Sequence, residues 1–395
     1  MENNKPSPET LKKAIVDSNE PVLFKNIINE TTNKCFFECL DINNLVKLMN
    51  GTILPFRVGD NLRTNGPQWE TDSDTVMMTL EDFLKIELND KWYYFDYKYM
   101  FEWFDDKQEL LDNINWNSFG YDKTGKDSTL WIGSKGAHTI CHQDSYGCNL
   151  VCQIHGRKEW LLFPPETGKF LKRTRLPYEE STVYSQFNFF SPSEEEEEII
   201  LTIDTNPIVI VLEPGDVLLV PRAWWHFVES LELSVSVNVW LPLVDDSKAR
   251  LKESLVKLFM TRIGDDLPST DKSQCSLEES IDLIGNCLKE CSHVLSEEYN
   301  NSSCNENMES ARWTADNLSI KYPNYIKKLN YLSKEQFKKF LIAKRIRFAK
   351  SIYKNNDNNL SSDDLLHKNV LEAVVKSICH SDVIDKIADL LLTNE

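Results

Sequence analysis

Thr139-Ile140-Cys141-His142-Gln143-Asp144 is the stretch on which the reading of this chain turns. It is extended by propensity, and side chains in a strand alternate, so His142 and Asp144 are expected on one face. An imidazole and a carboxylate on one face are two thirds of a facial 2-His-1-carboxylate set, a non-haem Fe(II) arrangement with open coordination positions. His-x-Asp alone is common and also arises as a surface pair. What lifts it above that background is the sequence that follows, to Phe163, and a second block around His226.

From residue 130 to 242 short apolar runs alternate with turn signals, the pattern of a β-barrel or jelly roll. Residues 149–154 and 157–163 flank His155-Gly156, which suits a two-residue hairpin turn. In that register 153 pairs with 158, 151 with 160 and 149 with 162. Asn149, Val151, Gln153, Lys158, Trp160 and Leu162 then share a face. The opposite face (Leu150, Cys152, Ile154) is apolar too, so neither is plainly solvated, and an interior Lys158 needs an anion. Residues 234–240 alternate strictly, with Ser234, Ser236 and Asn238 on one side and valines on the other. That is expected of a barrel strand that lines a wet cavity while its back packs on other elements.

Upstream, residues 1–20 are polar and read as a loose terminus. A helix capped at Asp41 and stopped by Asn50-Gly51, a strand over 53–58 and a helix begun at Thr79 follow. The aromatic run 92–97 is a strand by propensity, with Trp92, Tyr94 and Asp96 on one face. The acidic run Glu194-Glu195-Glu196-Glu197-Glu198 reads as a solvated loop, with a basic partner as the alternative.

Beyond residue 246 the periodicity is helical: 249–263, 277–295, 363–379 and 381–392, with breaks at 265–269, 299–307 and 355–362. Residues 332–353 form a basic amphipathic stretch with Phe337, Leu341, Phe348 and Ile352 as its apolar stripe. Such a helix either packs on the barrel or offers a dimer or partner surface. Cys287, Cys291, His293 and Cys304 contain no Cys-x2-Cys pair, and the helical spacing of Cys287 and Cys291 favours buried thiols over zinc.

Composition limits the rest. With 41% hydrophobic residues, 10 Trp and 19 Phe the chain has material for a large core. Its net charge of -18 argues against sequence-independent nucleic-acid binding. The opening residues carry no secretory pattern, and no apolar run approaches the ~18–20 residues of a membrane span. Ten scattered cysteines without a disulfide framework point to reduced thiols, in the cytosol or the nucleus.

Taken together, Leu130-Trp131-Ile132-Gly133, Thr139-x-x-His142-x-Asp144, Gly156-Arg157-Lys158, Phe163-Pro164-Pro165, Pro214-Gly215-Asp216-Val217-Leu218 and Pro221-x-x-Trp224-Trp225-His226 resemble the JmjC-domain Fe(II)/2-oxoglutarate oxygenases. They are most similar to its hydroxylase branch, which includes the asparaginyl hydroxylase of hypoxia-inducible factor. Longer matches at 128–134, 142–151 and 176–181 resemble a branch associated with a small heat-shock protein. The resemblance implies an α+β fold: a double-stranded β-helix (jelly roll, cupin-like) with N-terminal helices and strands and a helical C-terminal region. It implies a flexible 1–20, an oxygenase domain over 21–245 with its signature core at 124–245, and a helical 246–395. It implies His142, Asp144 and His226 as Fe(II) ligands and Lys158 with Thr139 on the distal carboxylate of 2-oxoglutarate. Asn149, Asn238 and Tyr94 complete that pocket, Tyr94 being preferred to Tyr93. The implied activity is hydroxylation of a protein side chain, before demethylation or RNA hydroxylation, since the chain shows no chromatin-reader module and is strongly acidic. The alternative is a binding module that keeps the fold and carries a small heat-shock protein. A homodimer through the C-terminal helices is also implied.

Overall fold

The computed structural model describes residues 5–28, 34–263, 276–302, 313–352 and 362–393. The breaks expected at 265–269 and 355–361, and 303–307 of the expected loop, lie outside them. The strands are β1 (Val22–Phe24), β2 (Ile53–Asp60), β3 (Arg63–Thr64), β4 (Asp74–Thr79), β5 (Lys91–Tyr99), β6 (Ser128–Gly133), β7 (His138–Asp144) and β8 (Cys148–His155). They continue as β9 (Lys158–Phe163), β10 (Arg173–Thr174), β11 (Thr182–Ser185), β12 (Ile208–Leu212), β13 (Val217–Val220), β14 (Trp225–Ser230), β15 (Ser234–Leu241), β16 (Ile326–Lys328) and β17 (Ser351–Ile352). A nine-stranded sheet runs β16-β1-β13-β8-β15-β6-β5-β2-β4 and a six-stranded sheet runs β10-β11-β7-β14-β9-β12. The two form the jelly roll expected from the alternating pattern.

Alternation decides what each strand buries. On β15, Val235, Val237 and Val239 join the main apolar cluster, with Leu150 and Cys152 of β8 and the N-terminal elements. The other face of these strands looks inward. There a second cluster (Val151, Trp160, Leu162, Leu218, Val228) fills part of the interior.

The hairpin expected at His155-Gly156 is not a hairpin. β8 pairs with β13 and β15, whereas β9 pairs with β12 and β14, so the chain crosses here from one sheet to the other. A turn signal between two alternating runs is the same in both cases, because the choice of partner strand is a non-local property. Gly156 has φ +61°, and a Cβ there would stand 2.0 Å from the Leu233 carbonyl oxygen, so the crossing requires glycine.

Three further expectations are corrected. Residues 8–17 are a helix rather than a loose terminus: Ser7 caps it, Pro8 opens it, and Leu11, Ala14 and Ile15 are buried. A stripe of three apolar residues is enough to dock a segment that reads as polar on average. The acidic run begins a helix, Glu194–Thr202, closed by a reciprocal cap between Ser193 and Glu196. Four of its glutamates sit in the first turn, where the helix dipole favours anions. Glu197 is buried and pairs with Arg345 at 2.7 Å, so the basic partner is intramolecular.

The third concerns the basic helix, which spans Lys334–Ile346 rather than 332–353. Phe337 and Leu341 pack in one cluster with Leu161, Phe163 and Phe227 of the six-stranded sheet. Lys344 is buried between Glu159 (2.5 Å) and Glu229 (2.6 Å), and Arg347 pairs with Glu229 at 2.6 Å. The inward-facing cations hold this helix to the barrel. β16, from the same region, extends the large sheet beside β1. The helices Asp246–Ile263, Leu277–Ser302, Ser362–Ile378 and Ser381–Thr393 share a separate apolar cluster that includes Leu251, Met260, Cys287, Cys291 and Ile384. Leu277–Ser302 runs past the end expected at residue 295.

Candidate metal and co-substrate site

β7 and β14 are neighbours, and His142 lies directly opposite His226 in their register. Their rings are 4.1 Å apart between centroids, and Asp144 follows on the same face, with Oδ1 3.7 Å from His142 Nε2. One ligand atom from each of His142, Asp144 and His226 lies within 4.8 Å of the others. Each imidazole donates Nδ1–H to a carbonyl two residues back in the chain, His142 to Ile140 (2.9 Å) and His226 to Trp224 (3.0 Å). That leaves both Nε2 lone pairs free for a ligand. Burial and the adjacent His226 push the His142 pKa down to about 4, so the ring is neutral at pH 7. Asp144 Oδ2 accepts from Trp240 Nε1 at 3.3 Å. Two imidazoles fixed through Nδ1 and an oriented carboxylate fit a divalent first-row metal, and the donor set is that of Fe(II) sites with open positions.

Thr139 reaches the same cavity although it is three residues from His142, a spacing that should place it on the opposite face. A bulge explains this. Between His142↔His226 and Thr139↔Val228, β7 has two residues where β14 has one. The extra residue brings Thr139 and His142 together in the cavity wall, while Cys141 packs outward. A second irregularity, in β5 between Phe95 and Lys98, turns Tyr97 (φ +52°) into the cavity as well.

Lys158 is 2% exposed, and its ammonium bonds the Ser236 hydroxyl (2.8 Å) and the Tyr94 hydroxyl (3.2 Å). Thr139 also bonds to the Tyr94 hydroxyl. Among the described residues no carboxylate lies within ion-pair distance of Lys158, and burial pushes its pKa down to about 7, against a weaker pull from Asp96. A buried cation without a counter-charge fits an anionic ligand. Asn238 Nδ2 donates to Asn149 Oδ1 at 2.8 Å, and Trp131 Nε1 donates to Asn238 Oδ1 at 2.7 Å, so both amides are held at the cavity wall.

All eight residues singled out in the sequence therefore line one cavity: His142, Asp144, His226, Thr139, Lys158, Asn149, Asn238 and Tyr94. Sequence reasoning missed Tyr97, Trp131 and Trp240, which complete its wall. Trp240 lies in a strand read correctly, on the side of Ser234, Ser236 and Asn238, so alternation alone could have named it, whereas Trp131 stood only within the motif Leu130-Trp131-Ile132-Gly133. Tyr97 could not be found, since a bulge decides its direction.

A model of the cupin-like domain matches residues 8–247. The chain belongs to the cupin-like domain family. Among relatives, HSPB1-associated protein 1 of Rattus norvegicus is 38% identical over 303 residues, 71% of this chain and 62% of that protein. The HSPB1-associated protein 1 homolog of Danio rerio is 41% identical over 235 residues, 55% of this chain and 52% of that protein. More distantly, the 2-oxoglutarate and iron-dependent oxygenase JMJD4 of Gallus gallus is 30% identical over 119 residues, 28% of this chain and 25% of that protein. The chain thus spans between about half and two thirds of the length of the HSPB1-associated relatives it matches. The JmjC resemblance read from the motifs holds for this cupin-like domain, whose relatives include iron- and 2-oxoglutarate-dependent oxygenases. No helix among the described residues is long and apolar enough to cross a membrane.

Proposed function

We propose that this cupin-like domain is an Fe(II)- and 2-oxoglutarate-dependent oxygenase that hydroxylates a side chain of a protein. The observation that carries this reading is the pairing, in one cavity, of the His142/Asp144/His226 donor set with the unpaired ammonium of Lys158. His142, Asp144 and His226 would hold the metal. Lys158 would neutralise the distal carboxylate of 2-oxoglutarate, with the Thr139 and Tyr94 hydroxyls beside it and Asn149 and Asn238 flanking. When bound, the pair supplies oxidation by O2: 2-oxoglutarate leaves as succinate and CO2, and one oxygen atom enters a substrate C–H bond. The protein's own part is positional. Nδ1–H bonds fix both imidazoles, Trp240 orients Asp144, and Tyr97, Trp131 and Trp240 give the cavity an aromatic wall.

Purified protein with Fe(II), ascorbate and 2-oxoglutarate should form succinate, and Asp144→Ala should not. Absence of succinate from wild type, with and without cell extract as a source of substrate, would exclude turnover. A second reading draws on the relatives named HSPB1-associated protein 1: a binding module for a small heat-shock protein that uses the fold without turnover. Co-purification of Asp144→Ala with such a protein, undiminished, would favour it.

A further inference from the structure

The ladder between the two metal-bearing strands stops short of the ligands it has to align. The β7–β14 register ends at Gln143↔Trp225, so Asp144 lies one residue beyond the last pair with β14. On its other side Asp144 faces Thr182 of β11. The chain reaches His226 through the turn Pro221-Arg222-Ala223-Trp224, in which Ala223 stands in the left-handed region, with φ +66°. A residue with a Cβ keeps that conformation only where its surroundings hold it there.

What holds Ala223 is the stretch His142-Gln143-Asp144 itself. The Ala223 N–H donates to the Asp144 carbonyl at 3.2 Å, and the Ala223 carbonyl accepts from Gln143 Nε2 at 2.6 Å. Both backbone bonds of this residue thus go to the segment that carries two of the three candidate ligands. Alternation explains why Gln143 is available. Between His142 and Asp144 its side chain points to the opposite face, away from the metal. There it borders a cavity of about 760 Å³ between the barrel and the C-terminal helices. The neighbours of Ala223 are anchored elsewhere, Arg222 to Asp245 (2.6 Å) and Asp246 (3.3 Å), and Trp224 Nε1 to the Asn19 carbonyl (2.9 Å). Of these side-chain contacts, that of Gln143 is the one that links β7 to the turn.

We propose that Gln143 is a positioning residue of the metal centre: its amide fixes the turn before His226 against β7, and so aligns His226 with His142 and Asp144. This rests on the metal assignment above and goes beyond it, since Gln143 faces away from the metal. Without the amide, the turn keeps one of its two bonds to β7. A metal ion would then have to supply the ordering that Gln143 supplies in wild type, and the cost would appear in its affinity.

The test compares the full-length wild type with two variants. Gln143→Met keeps the length of the side chain and removes the donor, and Gln143→Asn keeps the amide and shortens its reach. Mn(II) affinity is measured by calorimetry, the Co(II)-loaded forms are compared by visible absorption, and urea unfolding is followed without metal. Both variants should unfold cooperatively and bind Mn(II) about three- to ten-fold more weakly, the size of one net hydrogen bond. Their Co(II) bands should differ from those of wild type. The comparison needs only one of the two variants to fold. Wild-type Mn(II) affinity and unchanged Co(II) bands would overturn the proposal, and a lowered urea midpoint beside them would make the bond merely structural. If wild type itself binds no Mn(II), the metal assignment has failed and the role of Gln143 falls with it.

Discussion

Lys158 Nζ lies 3.2 Å from the Tyr94 hydroxyl, in a cavity that offers the ammonium hydroxyl partners and no carboxylate at pairing distance among the described residues. Lys158→Ala is expected to weaken 2-oxoglutarate binding by about 3–5 kcal/mol, since it leaves a buried carboxylate unpaired. Thr139→Val removes one hydrogen-bonding hydroxyl and should cost less, about 1.5–3 kcal/mol. Calorimetric titrations of both variants loaded with Mn(II) give the comparison, and a larger loss for Thr139→Val would contradict this placement of the co-substrate.

The same lysine sets a pH dependence. Its folded-state pKa is depressed to about 7 from an ordinary 10.5. Between those values the unfolded chain binds more protons, so this group's destabilising contribution is full below pH 7 and fades as pH rises toward 10.5. A bound carboxylate should restore the proton, so 2-oxoglutarate binding at pH 8 should take up protons. Titrations in buffers of different ionisation enthalpy would show this, and Lys158→Met should remove it.

Much of this site was legible in the sequence because strand alternation is a local rule. It placed Asn149, Lys158, Ser236 and Asn238 on inward faces although the hairpin invoked to align the first two does not exist. Both strands keep their own alternation across the crossing, so the faces came out right while the pairing did not. Bulges at β7 and β5 were invisible, since an extra residue changes a direction without changing composition. The charge runs were the other blind spot. Glu194–Glu198 and the basic helix look like separate solvated features in sequence, and only folding shows Glu197 on Arg345.

Lys344 fills the gap between Glu159 and Glu229 behind the metal strands. Burial alone would raise the Glu229 pKa, but Lys344 and Arg347 hold it below the ordinary carboxylate value. Lys344→Met should therefore destabilise the protein by about 3–5 kcal/mol, because it leaves buried carboxylate charge without its main partner. Urea unfolding followed by tryptophan fluorescence measures the loss. A change under about 1 kcal/mol, the range of exposed pairs, would show that this pair is solvated.

A chain ended at residue 246 should not remain a soluble barrel. It would lose β16 from beside β1, uncover the surface beneath Phe337 and Leu341, and free the loop held by Glu253 and Lys257. Aggregation or dye binding to exposed apolar surface is the expected outcome. A soluble, cooperatively folding truncation would show that the C-terminal elements are accessory to the barrel.

The most direct measurement is a titration of 2-oxoglutarate into the full chain by calorimetry, with and without Mn(II), for wild type and Asp144→Ala. The expected result is one binding site per chain in wild type that depends on the metal and disappears in Asp144→Ala. Binding that is absent in metal-loaded wild type, or that is the same with Asp144 removed, would contradict the assignment of His142, Asp144, His226 and Lys158 to a single metal and co-substrate site.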